Sequence, residues 1–317
     1  MQDTAPLPLI CLLGPTAVGK TAFAFALAEH FPVHLISVDA AQIYRGMNIG
    51  TAKPDAATLA RYPHALIDIL EPEEVYSAAQ FCRDAQTQIA LAHQQGKIPV
   101  LVGGTMLYFL ALFEGLADLP ASTADSRAAI EAQFAADNGK TLYADLEQRD
   151  PITAAQISPN DRQRLIRFSE LMLLTGQTPQ QLFAAQEKLA PAWQTLAIGF
   201  NCERSLLHER IALRLQDMLA QGFIEEVAAL RARPQLTSES VSMRSVGYRQ
   251  FWAHLAGECS QAQALEAAII ATRQLAKRQI TWMNNRLQAA IPLQIHNPLQ
   301  SGCTAALLKQ VEAFLSQ

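Results

Sequence analysis

Eight consecutive residues, Gly14, Pro15, Thr16, Ala17, Val18, Gly19, Lys20 and Thr21, carry the glycine spacing and the Lys-Thr ending of a phosphate-binding loop. The chemistry of such a loop is anion capture. Its backbone N–H groups wrap phosphate oxygens, the Lys20 ammonium neutralises charge, and the Thr21 hydroxyl stands where it can ligate magnesium. The flanks agree: Leu9 to Leu13 reads as a buried strand, and Ala22 to His30 as a helix whose N-terminus faces the anion. A bound phosphate or diphosphate follows from the motif, but its fate does not.

Three further segments carry polar groups that packing alone does not require. Asp39 follows the apolar run Val33 to Val38, inside Ser37-Val38-Asp39-Ala40-Ala41-Gln42-Ile43-Tyr44. A carboxylate at a strand end beside a phosphate site can hold magnesium, take a proton from an incoming nucleophile, or cap the next turn. Gly103-Gly104-Thr105 allows close backbone approach to a ligand, with the Thr105 hydroxyl available to a leaving-group oxygen. Arg244-Ser245-Val246-Gly247-Tyr248-Arg249 and Lys277-Arg278-Gln279-Ile280-Thr281-Trp282 interleave basic and aromatic residues, a pattern suited to single-stranded RNA. The same pattern also fits a solvated helix face over a core Trp282.

Alternating elements must position these groups. Ser77 and Gln80 have capping-box spacing before a helix to about Gln95, Gly96 closes it, and Ile98 to Val102 reads as a buried parallel strand. The first third therefore predicts a doubly wound α/β core. Its phosphate loop, Asp39 and Thr105 should converge beyond the carboxyl ends of the strands. From residue 119 to 191 the strand signal gives way to helical spacing punctuated by Pro120, Pro151, Pro159 and Pro179. This stretch is expected to be an inserted all-helical domain, with residues 1–118 and 192–317 forming the core and C-terminal helices. Thr195 to Phe200 resumes a strand, and Leu207, Ile211, Leu215 and Met218 mark the next helix.

Composition narrows the setting. The chain has 317 residues, half of them apolar, with net charge -4, enough for about two domains. The average charge hides a local excess: no Asp or Glu occurs from Ala267 to Val311, where Arg273, Lys277, Arg278, Arg286 and Lys309 fall. Five scattered cysteines form no C-x-x-C pair, which argues against a disulfide framework or a zinc site. The longest uncharged apolar stretch, Ile98 to Phe113, is broken by glycines and is short for a bilayer span. The N-terminal apolar run lacks the basic flank of a secretory signal. A cytoplasmic protein without membrane contact is expected.

Six blocks in order closely resemble the bacterial tRNA dimethylallyltransferases, also called tRNA isopentenyltransferases. They are Gly14 to Thr21; Ser37 to Tyr44 with Ile49 to Pro54; Leu101 to Tyr108; Asn160 to Arg167; Ser245 to Gln250; and Ala271 to Trp282. The resemblance implies a P-loop NTPase-like core with a helical insert. It also implies transfer of a dimethylallyl group from dimethylallyl diphosphate to N6 of the adenine 3′ of the anticodon, with magnesium as cofactor and monomeric action. In the family picture the adenine turns out of its loop into a channel, and the donor enters from the other end.

By the same resemblance, Asp39 is the candidate base and Thr105 contacts the reacting groups. Gly14 to Thr21 and Arg127 bind the diphosphate, and Thr21 holds the metal with Asp39 as a further candidate ligand. The tRNA contacts carried over are Asp39, Ala40, Ala41 and Gln42; Gln163, Arg164, Leu165, Ile166 and Arg167; Arg244, Ser245, Val246, Gly247, Tyr248 and Arg249; and Lys277, Arg278, Gln279, Ile280, Thr281, Trp282, Met283 and Asn284. Related sequences often have a basic residue where Asn284 stands, and the cysteine pairs of the eukaryotic members' C-terminal zinc finger do not occur in this sequence, so no such finger is expected. The residues alone leave three alternatives: a small-molecule P-loop kinase, an adenylate dimethylallyltransferase acting on free nucleotide, and an RNA-binding protein with a regulatory nucleotide site.

Overall fold

The computed structural model describes residues 6–115, 119–120, 122–185 and 193–317. Its contacts divide the chain into Met1–Phe113 with Pro191–Gln317 and a second unit, Glu114–Ala190. The junctions expected at residues 118 and 191 lie outside the described residues.

The first unit is built on six parallel strands: β1 (Leu7–Leu13), β2 (Val33–Val38), β3 (His64–Ala65), β4 (Ile98–Gly103), β5 (Trp193–Phe200) and β6 (Leu293–His296). Their order across the sheet is β3-β2-β4-β1-β5-β6. β1 is central, in register with β4 through Ile10↔Val100 and with β5 through Ile10↔Leu196. Leu9, Ile10, Leu12 and Leu13 are fully buried, because crossover helices cover both faces of a parallel sheet. Burial of each such side chain contributes roughly 1.5–3 kcal/mol. The chain leaves β1 towards one side and β4 towards the other, so the strand order reverses between these neighbours. Ligands of doubly wound sheets bind at such a point.

Helix punctuation follows local chemistry. Ser77 and Gln80 form a reciprocal capping box at the start of Ala78–Gln94. Leu207, Ile211, Leu215 and Met218 form the buried stripe of Arg204–Ala220. The C-terminal residues, which carry no motif, add β6 to the sheet beside β5 and a helix, Cys303–Leu315, with Leu307, Val311 and Phe314 buried.

The second unit is helical: Ala124–Asp137, Lys140–Arg149, Pro151–Ala154, Arg162–Thr175 and Pro179–Ala184. Two of the prolines that punctuate its sequence, Pro151 and Pro179, start helices behind the capping residues Asp150 and Thr178. Ile130, Phe134, Leu142, Leu146, Leu165, Ile166 and Met172 form its own core. Glu170, fully buried, accepts from the Ser122 hydroxyl at 2.5 Å and pairs with Arg127 at 3.4 Å. A buried carboxylate needs such partners.

Candidate active site

Gly19 caps the helix Lys20–His30 at φ +114, a backbone conformation that favours glycine, and supplies no side-chain cap. The first-turn N–H groups are therefore left to an anion. Lys20 Nζ donates to the carbonyls of Gly14 at 2.9 Å and Pro15 at 2.8 Å. Burial pushes its ammonium down to about 8, opposed by Asp39 and reinforced by Arg214. Arg210 Nε donates to the Ala17 carbonyl at 2.9 Å, bracing the loop from the helix Arg204–Ala220.

A cavity of about 580 Å³ lies over the strand ends, lined among others by Thr16, Lys20, Thr21, Asp39, Gln42 and Gln279. Asp39 follows β2, and its Oδ1 accepts from the N–H groups of Ala41 at 2.8 Å and Gln42 at 3.2 Å. One carboxylate oxygen thus caps the turn, and Oδ2 takes no part in those bonds. The Thr105 hydroxyl oxygen accepts from Ala40 N–H at 3.1 Å, which pins the same turn from the end of β4 and leaves its proton to donate elsewhere. Gly103 approaches β2 so closely that a Cβ there would lie 2.0 Å from the Val38 carbonyl oxygen. The closeness that this glycine allows is to the neighbouring strand, and it brings Thr105 alongside Asp39's turn.

Gln42 is oriented on two sides. Its Nε2 donates to the carbonyls of Thr51 and Ala52, and its Oε1 accepts from the buried Ser37 hydroxyl at 3.2 Å. Gln279 also reaches the cavity, accepting from Thr16 N–H at 2.9 Å and donating to the Gly104 carbonyl at 2.8 Å. It joins the segment read as RNA-binding to the phosphate loop itself. Lys53, with a nearly buried side chain, pairs with Asp68 at 2.5 Å and donates to the Tyr44 carbonyl.

Other expected contacts separate by burial. Arg164, Arg244, Arg249, Lys277, Arg278, Thr281 and Asn284 are exposed, as is Gln163, whereas Arg167 is half-buried and donates to the Pro120 carbonyl at 2.8 Å. Leu165, Ile166, Tyr248 and Met283 have fully buried side chains, so their side chains support the surface from beneath. The base-stacking reading is corrected for Tyr248, which packs edge-on against Phe223 with its hydroxyl on Glu226, while Trp282 is half-buried against the core. Of the basic run, Lys277, Arg278 and Arg286 follow one continuous helical path that passes through a π-helical segment, Met283–Leu287. Arg273 is half-buried, and Lys309 lies on the separate C-terminal helix. Arg127 lies in the helical unit, where Glu131 at 2.9 Å and Glu170 are its partners.

Arg210, Arg214 and Asp217 also line the cavity, and sequence reasoning missed them. Burial draws the Arg214 guanidinium downward, with the Asp39 carboxylate opposing. The available signal was an i, i+4 arginine pair flanking the apolar stripe of Arg204–Ala220. No cluster of three His, Cys, Asp or Glu able to hold a metal occurs among the described residues. Thr21 and Asp39 nevertheless offer hard oxygen donors on one cavity, the small protein share that magnesium takes when phosphates and water complete its shell.

Donor affinity should therefore depend on pH. An anion binds the charged form of Lys20, so binding takes up a proton once the free chain has lost it above about 8. Calorimetric titration is expected to find affinity falling about tenfold per pH unit well above that value. A flat profile across pH 7 to 9 contradicts the assignment.

A doubly wound sheet with an uncapped glycine-loop helix, two inward arginines and a strand-end carboxylate defines a P-loop protein equipped to bind a phosphorylated donor and serve an acceptor beside it. The chain belongs to the IPP transferase family, whose model matches residues 42–286. It is 56% identical over 306 residues to a tRNA dimethylallyltransferase of Dichelobacter nodosus, covering 96% of each chain. Its structure is similar to that of a full-length tRNA isopentenylpyrophosphate transferase from Bacillus halodurans, with TM-score 0.70, 32% identity, and coverage of 98% of this chain and 97% of that one. A eukaryotic dimethylallyltransferase acting on tRNA superposes with TM-score 0.82 at 26% identity, covering 98% of this chain and 80% of the other.

Proposed function

We propose that this protein transfers the dimethylallyl group of dimethylallyl diphosphate to N6 of the adenine immediately 3′ of a tRNA anticodon, releasing diphosphate. The observation that carries the proposal is the phosphate loop and the Asp39 carboxylate lining one cavity. In the transferring step the N6 lone pair forms a bond to the terminal allylic carbon, and the carbon–oxygen bond breaks with its electrons passing to the diphosphate. The N6 proton moves to Asp39 Oδ2. An exocyclic amine conjugated with its ring is a weak nucleophile, which is why a base is needed.

Loop N–H groups, Lys20 and Arg214 stabilise charge growing on the departing diphosphate. Magnesium held by Thr21 would add Lewis-acid stabilisation there. Thr105 holds Asp39's turn and offers its hydroxyl proton to the reacting groups, and Gln42 meets the adenine edge. Arg127 as a further diphosphate contact rests on the family resemblance. The exposed Arg164, Arg244, Arg249, Lys277 and Arg278 suit phosphates of an anticodon stem-loop. No helix among the described residues is long and apolar enough to cross a membrane, and the proposed site of action is the cytoplasm, as a monomer.

Charge removal at Lys277 or Arg278 is expected to weaken stem-loop binding and to lower the slope of log affinity against log salt by about 0.7 to 0.9 per lost phosphate contact. Filter binding across a salt series measures it, and a wild-type slope returns these residues to a solvated face. In parallel, labelled donor offered to stem-loop RNA and to AMP should label only the RNA. Label on AMP alone identifies a free-nucleotide enzyme.

A further inference from the structure

Far from the phosphate loop in sequence, the helix Phe223–Arg231 presents Glu226 to a loop that walls the cavity. Its Oε2 accepts from the N–H groups of Asn48 at 2.9 Å and Ile49 at 2.7 Å, and its Oε1 from Gly50 N–H at 3.1 Å and the Tyr248 hydroxyl at 2.6 Å. These four donors match the roughly four lone-pair sites of a carboxylate, and bonds to an ionised acceptor are the strong ones. Three successive backbone N–H groups converging on one anion form a nest, here filled by a residue of the protein itself. The fit leaves no slack: a Cβ at Gly50 would lie 2.2 Å from the Phe223 ring and 2.6 Å from that of Tyr248.

The residues that follow this anchor are those that orient Gln42. Thr51 and Ala52 both line the cavity, and their carbonyls receive Gln42 Nε2 at 3.3 and 3.4 Å. With the Ser37 hydroxyl on Oε1, these two carbonyls set the direction of the Gln42 amide. We infer that Glu226 is a positioning residue for the acceptor base: by clamping Asn48 to Gly50 it sets the Thr51 and Ala52 carbonyls, and through them the Gln42 amide. Tyr248 ties the Arg244–Arg249 segment to the same carboxylate. The inference rests on the proposed contact of Gln42 with adenine.

The test is a double-mutant cycle on the full chain, using Glu226→Ala, Gln42→Ala and the pair. Single-turnover transfer to anticodon stem-loop RNA is read at saturating dimethylallyl diphosphate, with donor affinity measured separately. Glu226→Ala is expected to slow transfer about tenfold or more, the scale of a small misplacement of a reacting partner, with donor affinity within about threefold of wild type. The double variant should be no slower than Gln42→Ala, because both changes remove one interaction. Multiplying losses, or a wild-type rate in Glu226→Ala, overturn the inference while leaving Gln42's role intact. A wild-type rate in Gln42→Ala instead removes the contact on which the inference stands. Should Glu226→Ala fail to fold, Glu226→Gln keeps one accepting oxygen and serves the same cycle, where an intermediate rate that collapses onto Gln42→Ala supports the inference and an independent loss overturns it.

Discussion

Asp39→Asn is expected to slow transfer by about 10²- to 10⁴-fold at saturating donor and RNA, with the stem-loop still bound, the span usually supplied by a positioned base. The substitution is chosen for what it keeps. An amide oxygen at the Oδ1 position can still accept from Ala41 and Gln42 N–H, so the turn survives while the proton acceptor is lost. Asp39→Ala removes both functions and should be at least as slow, with a lower melting temperature from the uncapped turn. Single-turnover rates separate the two roles: wild-type transfer by Asp39→Asn would reduce Asp39 to a cap.

Lys20→Ala is expected to weaken donor binding and to slow transfer by about 10²- to 10³-fold, the cost of deleting one preorganised charge stabiliser. Two effects combine. The ammonium lies on the loop, bonded to the carbonyls of Gly14 and Pro15, and lines the cavity, so its loss removes ground-state attraction. Charge on the diphosphate grows as the carbon–oxygen bond breaks, so the loss deepens in the transition state. Initial rates over a donor series read both, and an unchanged KM with an unchanged kcat would remove Lys20 from the site. Arg214, on a different element, should act in the same direction without abolishing the pH dependence that belongs to Lys20.

Local signals made the phosphate side legible in the sequence. Gly14 to Thr21, the Ser77 capping box and the apolar run of β4 each depend on neighbours within a few residues, and each occurs in the structure as expected. Less legible were groups whose purpose depends on tertiary approach. Arg210 and Arg214 border the apolar stripe that identifies their helix, and only the parallel addition of β5 beside β1 brings that helix over the loop. Gln279 lies within a basic run, yet its amide reaches Thr16 and Gly104. Tyr248 looked like a stacking ring because periodicity cannot distinguish an aromatic facing RNA from one closing a core. Glu226 had no local signal at all, since its backbone partners lie 176 to 178 positions away and Tyr248 lies 22 away.

Alkyl transfer to one nucleotide is read most directly by mass spectrometry of an anticodon stem-loop RNA incubated with the protein, magnesium and dimethylallyl diphosphate. Expected is the gain of one five-carbon unit, located by nuclease digestion on the adenine 3′ of the anticodon, lost in Asp39→Asn and absent from AMP treated in parallel. Stem-loop RNA that binds the protein but leaves with its mass unchanged would contradict it.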